Sequence, residues 1–203
     1  MTEAKYMTGP TPYASSADFR RIFDEDMNGL YLLSFLLTAD HEKAEQCFVS
    51  GLEDAVDGNP VFKEWARSWA RRAIIRNAVR VINPRPVEGS NGSSFASVNA
   101  DKTQSVEGQA EIAAVLALEP FERFVYVMTV LERYSDHECS VLLGCARRDV
   151  LAARTRALRQ MGSAMEMHYK QLPNASTENP ASHERHHSSL LELLLAPRLV
   201  TSA

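Results

Sequence analysis

Apolar residues recur at helical spacing from Phe19 onward: Phe19, Ile22 and Phe23, then Met27, Leu30, Leu33 and Leu37. Steps of three and four place them on one side of a helix, so the pattern predicts one long amphipathic helix with a single buried stripe. Ser15, Ser16 and Asp18 are candidate N-caps, because a short side-chain oxygen ahead of the stripe can satisfy the free N–H groups of a first turn. Asp40 is placed to cap a second helix from His41 to about Asp57, with Ala44, Cys47, Phe48, Leu52 and Val56 along it and Gly58-Asn59-Pro60 as its stop. A third helix is predicted from about Val61 to Ile82, ending before Asn83-Pro84. Three helices with short connections imply a small antiparallel bundle.

The pattern then lapses. Residues 83–105 (NPRPVEGSNGSSFASVNADKTQS) are rich in Pro, Gly, Ser and Asn, with one aromatic and no period. Such a segment cannot bury enough apolar surface to order itself and reads as a flexible linker. Helical spacing returns at 106–117 with Ile112, Val115 and Leu116. Glu119-Pro120 opens a further helix, proline being tolerated at the first helical position, and Phe121, Phe124, Val125, Met128 and Leu131 carry it to about Arg133. The fold class that follows is all-α: two small helical domains on a flexible linker, the second a helix-turn-helix. The expected organisation is a flexible arm at 1–17, a three-helix domain at 18–82, the linker at 83–105 and the second domain at 106–169. The polar tail at 170–203 includes a candidate short helix at 188–196.

Residues 134–161 (YSDHECSVLLGCARRDVLAARTRALRQM) are the most informative segment. Ser135 followed by Glu138 forms a capping box that fixes a helix start. Gly144, after Leu142-Leu143, supplies the left-handed conformation that ends a helix, and Gly144-Cys145-Ala146 leads straight into a basic helix. A short helix, a glycine turn and a longer basic helix make a helix-turn-helix. In projection Val150, Ala153, Ala157, Leu158 and Met161 cluster inward, whereas Arg148, Ala152, Thr155, Arg156 and Arg159 point outward. Small residues between arginines let a helix approach the major groove, with guanidinium groups free for phosphate or guanine. Arg147, Arg148, Thr155, Arg156 and Arg159 are therefore the candidate DNA-binding residues.

Composition narrows the classes. The net charge of -4 gives no whole-chain signal for nucleic acid, so a basic footprint has to be local. No apolar run approaches the roughly 20 residues that span a bilayer, no membrane association is expected, and the first residues lack an apolar signal core, which points to the cytoplasm. Cys47, Cys139 and Cys145 include no CxxC pair and read as small core residues rather than a disulfide or zinc framework. His183, His186 and His187 sit in a polar tail without fixed ligand geometry, so no metal is expected, and no cofactor is implied. Asp24, Glu25 and Asp26 read as a solvated acidic turn. Without a phosphate loop, nucleophile motif or carboxylate dyad, the chain reads as a non-enzyme.

The segment LEPFERFVYVMTVLERYSDHECSVLLGCARRDVLAARTRAL resembles region 4 of the sigma factors of bacterial RNA polymerase, in the small two-domain extracytoplasmic-function type. Its landmarks here are Leu118, Pro120, Glu122, Arg123, Ser135, Glu138, Leu142, Leu143, Gly144, Val150, Arg156, Ala157 and Leu158, without a gap. DFRRIFDEDMNGLYLLSFLLTADHEKAEQCF is similar to region 2, and Phe62, Trp65, Ala66, Trp69, Ala70, Arg71 and Arg72 match the family's Phe-x-x-Trp block. The pattern departs in two places. The acidic-Gln-acidic run expected after Ala44-Glu45 is replaced by residues 46–51, and the family's Lys-Ser-Arg triplet by Leu151-Ala152-Ala153, with Arg154 where a buried Leu is usual. The resemblance implies promoter DNA and core RNA polymerase as partners, with an anti-sigma factor as a further candidate. It places polymerase contacts at Glu45, Gln46 and Val49.

The third helix leaves two readings. Arg71, Arg72, Arg76 and Arg80 are either a second DNA contact or the solvated end of a bundle helix, and Trp65 and Trp69, four residues apart, read as core. Two rival functions remain beside the sigma-type reading: a sigma-like protein acting through protein–protein contacts, and a DNA-binding regulator that does not engage polymerase.

Overall fold

The structure, a computed structural model, describes residues 12–86 and 106–171, and every regular element among them is a helix, so the fold is all-α. The chain divides into two compact units, Met1–Ile82 and Asn83–Ala203. Most of the predicted linker and nearly all of the tail, including the candidate helix at 188–196, lie outside the described residues.

Among the described residues of the first unit, four α-helices stand where periodicity predicts three. The expected long helix is broken into α1 (Ser16–Glu25) and α2 (Met27–Thr38). Asp26 makes the break: its φ of -113° and ψ of 27° are not helical, and its N–H closes α1 on the Ile22 carbonyl. The Asp26 carboxylate folds back over Gly29, where a Cβ would lie 2.3 Å from it. The turn also rotates the stripe. Met27, expected inside, is exposed, whereas α2 buries Leu30, Leu33, Leu36 and Leu37 together with Ser34 and Thr38. The two hydroxyls are satisfied by the carbonyls one turn back, at 3.0 and 2.9 Å, so their burial leaves no donor unpaired.

Asp40 caps α3 (His41–Val56) as predicted, accepting from the Lys43 N–H at 3.0 Å. The buried side of α3 is made of small residues, Ala44, Cys47, Gly51 and Ala55, and a Cβ on Gly51 would sit 2.6 Å from Ile74 Cδ1. Close approach of α3 to α4 (Ala66–Ile82) follows. A 3-10 turn, Lys63–Trp65, leads into α4. The arm read as loose at 1–17 is tied down where it is described. Ala14 N–H donates to the Val61 carbonyl at 2.7 Å, Lys63 N–H to the Pro12 carbonyl at 3.0 Å, and the Tyr13 ring stacks on Phe62 at 4.8 Å. Ser15 then caps α1 through a capping box with Asp18, whose carboxyl is held below its ordinary value first by the Ser15 backbone hydrogen bond.

The second unit contains α5 (Val106–Leu116), α6 (Pro120–Tyr126), α7 (Asp136–Leu143) and α8 (Arg147–Gln171). Proline opens α6 as predicted, but the helix does not run on to Arg133. It widens into a π-helical turn at Val127–Leu131, with the Thr129 hydroxyl donating to the Val125 carbonyl at 2.7 Å, and ends where Arg133 takes a φ of 59°. Leu118, Phe121, Phe124, Met128 and Leu131 build the core against Cys139, Val150, Ala153, Ala157 and Met161. Buried Arg123 donates to the Leu116 and Leu118 carbonyls at 3.3 and 3.1 Å, closing the end of α5. Burial lowers its pKa from the usual guanidinium value.

Candidate nucleic-acid interface

Two local devices set α8 in place. Ser135 caps α7, its hydroxyl accepting from Glu138 N–H at 3.2 Å while the Glu138 carboxylate accepts from Ser135 N–H at 2.9 Å. Gly144, at φ 63°, ends α7, and Asp149 accepts from Ala146 N–H at 3.2 Å to start α8. Because L side chains resist that φ, Gly144→Ala is expected to destabilise the second unit by about 1 kcal/mol. Chemical denaturation reads the shift, and an unchanged midpoint would mean the turn relaxes into another conformation.

Val150, Ala153, Ala157 and Met161 of α8 face the core, as the projection predicts. Leu158 does not: it is 49% exposed, because it lies roughly a quarter-turn from the centre of that buried stripe. Arg147, Arg148, Thr155 and Arg159 are exposed. Arg148, Thr155 and Arg159 share one side within about 40° of arc and extend along about 16 Å of helix, with Arg147 flanking them. The Arg148 side chain is 89% exposed and its Nε lies 3.7 Å from the Asp149 carboxylate, a solvent-screened neighbour that leaves the guanidinium accessible.

Arg156 is the correction. It turns away from that face to a carboxylate on α6: its Nε donates to Glu122, which also accepts from Gln160 at 3.2 Å. Glu122 is buried, at 7% exposure, so it requires a donor. Arg154 donates to Asp136 on α7 at 2.7 Å, and the Asp136 side chain is nearly covered. Neither carboxylate stands out by sequence spacing. The available signal was that Glu122 and Arg123 sit within the apolar pattern of α6, where buried charges need partners.

The α4 arginines divide similarly. Lys63 reaches Asp18 at 3.9 Å, and Arg67 and Arg71 pair with Glu25 and Asp26. The acidic turn read as solvated is therefore partly an anchor for α4. Arg80 pairs with Asp54 at 3.1 Å, and the Arg76 guanidinium sits 5.0 Å over the Trp69 ring. Arg72, half-buried, has no charged partner among the described residues. Three of the four arginines are thus engaged within the unit, Arg71 and Arg80 by carboxylates and Arg76 by the Trp69 ring. Trp65, read as core, is instead 57% exposed, because α4 is preceded by a 3-10 turn that carries it outward to meet Phe62 edge-on at 5.2 Å.

On α3, Glu45, Gln46 and Val49 are exposed together with Glu42 and Glu53, an acidic strip around one apolar side chain. Burial pushes the Cys47 thiol up to about 11 and that of Cys139 to about 12, so both stay neutral core groups. Among the described residues no group of three His, Cys, Asp or Glu side chains could hold a metal ion, and no helix is long and apolar enough to cross a membrane.

No protein-family model matches the chain, and no curated protein matches it. Among solved structures it is similar to the sigma factor RpoE from Bartonella quintana, in a co-crystal with the anti-sigma factor NepR. The identity is 20%, over 73% of this chain and 97% of that one, with a TM-score of 0.45.

Proposed function

We propose that this protein is a sigma-factor-like transcription initiation protein. It would hold promoter DNA on the outer side of α8 and core RNA polymerase on the exposed side of α3. The observation that carries the reading is the exposure of Arg147, Arg148, Thr155 and Arg159 on a helix that follows a glycine turn. Glu122 and Asp136 support it by fixing Arg156 and Arg154 to the neighbouring helices. An ordered helix presents its remaining cations with less entropy left to lose on binding. Arg156 belongs to the support of the site rather than to its contacts. Arg72 is the α4 arginine that best keeps the role of a second DNA contact, and an anti-sigma factor remains a candidate partner.

Co-purification with core RNA polymerase followed by run-off transcription tests the proposal. Retention on core polymerase is expected, with loss when Glu45, Gln46 and Val49 are replaced together by Ala, Ala and Lys. Promoter-fragment binding without polymerase retention would make the protein a DNA-binding regulator. A second reading, action through protein–protein contacts alone, is favoured by exposed Leu151 and Leu158 on the same helix. Retained protein binding with no affinity for any DNA would establish it.

A further inference from the structure

Leu151 and Leu158 of α8 are 40% and 49% exposed. They stand seven residues apart, two helical turns, and form a stripe on the flank of α8 next to the arginine face. Single exposed leucines need no explanation, but a repeated pair on the helix that bears the proposed binding site marks a surface suited to an apolar partner.

The chain itself carries such a partner. Beyond Gln171 it continues through the polar stretch 172–189 to Leu190-Leu191-Glu192-Leu193-Leu194-Leu195, five leucines in six residues. Eighteen residues can span at most about 60 Å. Measured back from the end of α8, Leu158 lies about 20 Å away and Leu151 about 30 Å. The stretch is therefore long enough for the run to meet the stripe within one chain. The charges also match: Glu192 is the only charge within the run, and exposed Arg147 lies one turn ahead of Leu151.

We infer that residues 190–195 dock in cis on the Leu151–Leu158 stripe of α8 and mask the adjacent arginine face. The masking half rests on the DNA-binding reading above; the docking half does not. Docking covers about two apolar side chains and is reversible, so the tail tunes access to α8 rather than sealing it.

The test uses the full chain with a photo-crosslinking amino acid in place of Leu158, illuminated at low protein concentration. The expected product is an intramolecular crosslink to residues 188–198, lost in the Leu191→Glu, Leu194→Glu variant. A crosslink to the first unit or to a second copy, or none at all, overturns docking. In parallel, the tail variant without the crosslinker is expected to bind a promoter fragment about tenfold more tightly than the wild type, as loss of an internal competitor requires. If the crosslink forms but both proteins bind DNA equally, masking is overturned while docking stands. If neither binds DNA at any salt concentration, it is the DNA-binding reading that fails.

Discussion

Replacing Arg147, Arg148 and Arg159 together by alanine is expected to weaken promoter-fragment binding on the order of a hundredfold, at about 1 kcal/mol per guanidinium. It should also lower the slope of log affinity against log salt by about 0.9 for each lost phosphate contact. All three side chains are exposed, and surface substitutions of this kind usually change stability by less than about 0.5 kcal/mol each. The variant should therefore keep its helical circular dichroism and its denaturation midpoint while losing DNA. That separation is the point of the experiment. Affinity and salt slope both unchanged would remove α8 from any DNA interface, whatever the state of the fold. A lower affinity with the slope intact would mean that these arginines act on bases or on protein rather than on phosphates.

Local chemistry made much of this surface legible in the sequence. The Ser135–Glu138 box and Gly144 each act within a few residues, through hydrogen bonds and a backbone angle that neighbouring residues alone impose. The inward positions of α8 follow from period, because Val150, Ala153, Ala157 and Met161 have one side to bury. What spacing did not show is long-range. Asp26 is just another acid in a row of three until Arg71, 45 residues away, meets it, and no periodicity marks the break it makes between α1 and α2. Trp65 and Trp69, four apart, look alike in projection, yet the 3-10 turn before α4 separates an exposed ring from a half-buried one. Arg156 projects outward on an isolated helix. Only the packing of α6 beside α8 puts Glu122 within its reach, and that carboxylate then decides the rotamer.

The role given to Arg156 can be tested through an asymmetry between the two partners. Glu122→Ala removes a buried carboxylate and leaves Arg156, whose side chain is 42% exposed, free to turn into water. The cost should fall below the roughly 3–5 kcal/mol of a fully buried broken pair, at about 2 kcal/mol. For a unit of this size that is a fall in Tm of about 10 °C. Arg156→Ala strands Glu122 at 7% exposure with only Gln160 still donating to it, so it should cost at least as much although it deletes the more exposed residue. Combining the two should cost less than their sum, since each already breaks the same bond. A surface arginine reaching for DNA predicts the reverse: Arg156→Ala near neutral in stability but lower in salt slope, with Glu122→Ala silent toward DNA. If denaturation and DNA-binding salt slopes of the variants returned that second pattern, Arg156 would rejoin the outer face and the triple variant above would be one arginine short.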